Sequence, residues 1–88
     1  MIPLEWLNGV IQERDGMRRL LNEEGCISAA AHRLATAKCL TWERSTGVPT
    51  GREVRAAACM IAERVPGTLV PETASMVAEC EALGLSVM

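Results

Sequence analysis

The sequence predicts an all-α protein, a compact bundle of four short helices joined by short loops. Three observations carry that prediction. Apolar residues recur at helical rather than alternating spacing in four segments, which is the primary sign of an amphipathic helix. Very few residues favour strand over helix. Gly, Pro, Ser and Thr gather only around Gly25, in "STGVPTG" (45–51) and in "VPGTLVP" (65–71), so the connections are short. Short connections make consecutive helices antiparallel neighbours most easily. The expected organisation is one helical domain over 1–88, with helices at about 3–23, 27–45, 51–65 and 71–83.

The first helix is expected to open at Pro3, a favourable first-turn residue, and to run to about Glu23. At about 100° per residue, Leu7, Val10, Met17 and Leu21 share a face, with Leu4 and Ile11 beside it. Arg14 and Arg18 fall inside that stripe and interrupt it. Gly25 suits the residue just past the helix end. The second helix presents Ile27, Ala30, Ala31, Leu34, Ala37 and Trp42 near one face, small residues that permit close helix approach. Gly47 and Pro49 end it. "TGRE" is a capping box for the third helix, Thr50 with Glu53. Val54, Ala57, Ala58, Ile61 and Val65 form its stripe, and Pro66-Gly67 stops it. The fourth helix is expected to open at Pro71, to bury Met76, Val77, Cys80 and Leu83, and to stop at Gly84 with Leu85 folding back. Residues 86–88 are expected to fray.

Composition bounds the core. The large apolar residues are 4 Ile, 9 Leu, 7 Val, 5 Met and 2 Trp, with no Phe or Tyr, and 12 alanines complete the hydrophobic set. A chain of this size buries only roughly 60–65% of its unfolded surface. The result is one thin aliphatic core, which a partner surface or self-association would reinforce. Charges near the start (Glu5, Glu13, Arg14, Asp15) do not suit a signal peptide. The longest apolar run, "AAACMIA", is far short of a bilayer span. A cytoplasmic protein with no membrane contact is expected.

Charge argues against nucleic acid as a partner. The net charge is −2 and the pI about 5.3, whereas nucleic-acid modules carry a basic footprint. "VPGTLVPETA" resembles a helix-hairpin-helix grip in Val65, Pro66, Gly67, Pro71, Thr73 and Ala74. It lacks the second glycine and carries Glu72 where a basic residue would assist. No Lys or Arg follows Arg64, only Glu72, Glu79 and Glu81. The stretch is read as a bundle corner.

No catalytic, metal or cofactor constellation emerges. Cys26, Cys39, Cys59 and Cys80 lie 13, 20 and 21 residues apart without a CxxC pair, so free thiols are expected rather than a zinc site. His32 is the lone histidine and is expected to be half-exposed on the surface. Glu79 and Glu81, two apart, point to different faces and make no acid pair. The expectation is therefore no enzyme, no cofactor and no small-molecule substrate. What remains suits an interface: Trp6 and Trp42 as aromatic anchors, and Arg14 with Arg18 one turn apart as a carboxylate grip. The function expected is a non-enzymatic protein-binding module, an adaptor, inhibitor or regulator, with self-association as a homodimer within the same reading. Short helical chains of this kind are common among phage and mobile-element accessory proteins. The alternative is a nucleic-acid-associated regulator using the arginine-bearing first two helices.

Overall fold

Each helix forms where local signals and burial agree. The computed structural model describes residues 14–41 and 48–87. Within them lie four helices, α1 (Arg14–Glu24), α2 (Ile27–Thr41), α3 (Gly51–Arg64) and α4 (Thr73–Ala82), and no strand. The all-α bundle expected from periodicity is the observed fold. The expected start of the first helix at Pro3 and the end of the second beyond Thr41 lie outside the described residues.

The third helix shows how sequence dictates structure here. Glu53 N donates to Thr50 Oγ1 at 3.3 Å, and Thr50 N donates to Glu53 Oε1 at 3.2 Å. Both arms of the capping box are formed. Pro49 and Val54 occupy the two positions of a hydrophobic staple around this cap, and both are fully buried. Val54, Ala57, Ala58, Ile61 and Val65 are buried as the stripe requires. Thr50→Ala is expected to lower stability by about 1 kcal/mol, read from urea unfolding, with Thr50→Ser restoring most of the loss. An unchanged midpoint in the alanine variant would show that the cap does not stabilise α3.

Helices α2 and α3 form the central pair, and α1 and α4 each pack against both. The described body measures 29 × 28 × 18 Å. Its shortest dimension corresponds to two packed helix layers, whose axes lie about 8–10 Å apart. The core is accordingly thin: Met17, Leu20, Leu34, Val54, Ile61 and Met76 supply its larger side chains, and Ala30, Ala31, Ala35, Ala57 and Ala58 fill the seams. Helix α2 buries residues over most of its circumference, including Ser28, Ala29 and Ala37.

Some expectations need correction. On α1 the buried residues are Met17 and Leu20, with Leu21 only half-buried. The inward face of the described part is thus centred on Met17 and Leu20, with Leu21 at its edge; Leu7 lies outside the described residues. On α4, Leu83 is 53% exposed rather than buried. Helix α4 begins two residues after Pro71, with Glu72 as an extended N-cap (φ −61°, ψ 152°). Val70 packs against the core, and Glu72, still extended, is the last residue before the helix.

The C-terminal segment is a further correction. Gly84 adopts φ +80°, a left-handed conformation that glycine adopts without a Cβ penalty. Gly84 N donates to Glu81 O at 3.0 Å and Leu85 N donates to Cys80 O at 2.9 Å, the paired bonds of a Schellman ending. Leu85 folds back as expected. The chain then continues onto the bundle instead of fraying: Leu85 and Val87 pack against the core, and His32 Nε2 lies 2.9 Å from Ser86 O.

Candidate functional site

The corner between α3 and α4 gives the most conspicuous surface feature. Helix α3 stops at Val65, whose N–H still bonds to Ile61 O at 2.8 Å. Thr68 N then returns to Val65 O at 3.3 Å, closing a turn over Pro66-Gly67. Gly67 has φ +91°, so proline at the second position and glycine at the third follow the type II turn preference. The chain leaves the turn toward Leu69 and Val70. Val65 is buried on one side and Val70 packs against the core on the other. Leu69, between them, is 84% exposed. A large aliphatic side chain is therefore projected into solvent from a loop anchored at both ends.

The charges at this corner are mixed, with Glu63 and Arg64 closing α3 and Glu72 capping α4. From Val65 onward the chain has no Lys or Arg, and Glu72, Glu79 and Glu81 are all exposed. The exposed arginines Arg18, Arg19, Arg52 and Arg55 belong to α1 and α3.

A second cluster lies where the first turn of α2 meets α4. Ser28 is fully buried, and its Oγ donates to Glu79 Oε2 at 2.9 Å. An ionised acceptor strengthens such a bond. Cys80 Sγ approaches Ser28 O at 3.7 Å. Burial pushes the Cys80 thiol pKa up, and the neighbouring Cys26 and Glu79 push it the same way. Beside this cluster, His32 meets Ser86 O and Arg33 pairs with Glu24 of α1. The polar contacts thus tie α2 to the helices on either flank. Among the described residues no group of three or more His, Cys, Asp and Glu is placed to hold a metal ion. None of the described helices is long and apolar enough to cross a membrane.

No protein-family model, curated protein or solved structure matches the chain. Function is read from its own residues.

Of the residues singled out from the sequence, Trp6 and Trp42 lie outside the described residues. Arg14 opens α1. Arg18, one turn later, is exposed and stands off the buried Met17–Leu20 face. His32 is half-buried as expected. Sequence reasoning passed over Leu69 and Ser28. The signal for Leu69 was present: a single leucine set inside a Pro/Gly-bracketed corner, next to the two valines that can anchor it. Ser28 gave no comparable signal, because a serine in a first turn reads as a solvated helix start.

Proposed function

We propose that the protein is a non-enzymatic protein-binding module, an adaptor, inhibitor or regulator that acts by covering a surface of its partner. The observation that carries this reading is Leu69, 84% exposed on a loop fixed by Val65 and Val70. A preorganised apolar anchor loses little conformational freedom on binding, and burying one leucine contributes about 1.5–3 kcal/mol. Leu69 fits a partner presenting an apolar socket, and exposed Glu72 three residues on favours a basic group at its rim, since complementary charge selects partners and speeds encounter. Origin from a phage or mobile element, and a cytoplasmic setting, belong to the same proposal.

The test is capture of binding proteins with the full-length chain, followed by calorimetric titration of each identified protein against wild type and Leu69→Ser. Leu69→Ser is expected to leave urea unfolding within about 0.5 kcal/mol, as surface substitutions do. It is expected to weaken partner binding by about 10-fold or more, the equivalent of about 1.5 kcal/mol. Equal affinities for the two proteins would remove Leu69 from the interface. Light scattering of the same samples reports whether the partner is a second copy of the chain.

A further inference from the structure

At the first turn of α2, Cys80 of α4 comes within 3.7 Å of the Ser28 carbonyl, two residues from Cys26. Cys26 opens α2: its carbonyl accepts Ala30 N at 3.1 Å, the first bond of the helix. Two residues later, buried Ser28 fixes α4 by two contacts, Oγ to Glu79 Oε2 at 2.9 Å and carbonyl to Cys80 Sγ at 3.7 Å. Cys80 sulfur is therefore seated on the very turn that Cys26 begins. Both cysteines are free, Cys26 half-buried and Cys80 buried. Folding has already closed the long loop between them, so a bond between the two sulfurs needs no further loss of chain entropy.

We propose that Cys26 and Cys80 are a redox pair that closes to an intramolecular disulfide on exposure to hydrogen peroxide. Cys26, the more accessible sulfur, attacks the peroxide as its thiolate; the O–O bond breaks and hydroxide leaves, giving a sulfenic acid. Cys80 sulfur then attacks the sulfenic sulfur, its proton and the departing hydroxyl leaving together as water. The net change is two thiols and one peroxide to one disulfide and two waters, with sulfur oxidised and peroxide oxygen reduced. The raised pKa of the Cys80 thiol disfavours it as the group that attacks peroxide and leaves it the second, resolving role, since the thiolate is the nucleophile.

Trypsin separates the four cysteines, because Cys26 falls in residues 20–33, Cys39 in 39–44, Cys59 in 56–64 and Cys80 in 65–88. The experiment treats reduced full-length protein with hydrogen peroxide, alkylates it, and maps the non-reduced digest by mass spectrometry. The expected result is monomeric protein lighter by about 2 Da, the 20–33 and 65–88 peptides joined, and titratable thiols falling from four to two. Cys26→Ser is expected to abolish the joined peptide, and Cys59→Ser to leave it. A dominant link through Cys39 or Cys59, a link between two molecules, or sulfinic acid at Cys26 without a bridge would each overturn the proposal. The wild-type peptide map decides the matter even if the Cys26→Ser protein folds poorly.

Discussion

Leu34→Ala is expected to lower the unfolding free energy by about 3–4 kcal/mol. Leu34 is fully buried in α2, one of the two central helices that pack against all the others. Truncation removes its transfer free energy and leaves a cavity that the backbone around it closes only in part. The neighbours have little volume with which to relax inward, because the seams are lined by alanines. Domains of this size are stable by about 5–10 kcal/mol in all, so the variant should lose a large share of its total. Urea unfolding followed by far-ultraviolet circular dichroism measures it, with an unchanged slope confirming that the change lies in stability. A loss below about 1 kcal/mol would show that the α2 seam collapses freely and is not packed as described.

Ala58→Leu is the complementary experiment, and it should also destabilise, by about 2–3 kcal/mol. Ala58 is fully buried on the face of α3 that carries Val54, Ala57 and Ile61. A leucine there has no free space to enter, so either its rotamer is strained or α3 is displaced from α2. A hydrophobic gain would normally favour the larger side chain. In this seam steric crowding should win, because helices that approach through alanines lie close together. Thermal unfolding with calorimetry gives the sign directly. A stabilised Ala58→Leu protein would mean that the seam holds unfilled volume.

These two variants also show which parts of the fold are legible in the sequence. Helix α3 is, because it lies between a capping box and a Pro-Gly stop and has one apolar stripe. Helix α2 is legible as a helix but not in its orientation. A helix buried around most of its surface has no polar face to mark the outside, and its alanines are compatible with either side. The Leu20–Leu21 pair illustrates the same ambiguity: adjacent leucines differ by about 100° around a helix, and only the central pair decides which one is buried. At Leu83 and the C-terminal segment the deciding factor is long-range. His32 and the core hold Ser86 and Val87, and no local pattern around Gly84 reports that. The surface was least legible of all, since exposure of Leu69 depends on two valines being drawn inward while the residue beside them is not.

In a two-layer body 18 Å deep, the proposed recognition would be tied to folding. Any partner that binds only the native chain shifts its unfolding equilibrium by mass action, by about 2.7 kcal/mol at a hundredfold excess over Kd. That increment is close to what the removal of Leu34 should take away. A partner of the proposed kind would thus also act as a thermodynamic clamp, and a crippled core variant should regain its native circular dichroism when such a protein is added.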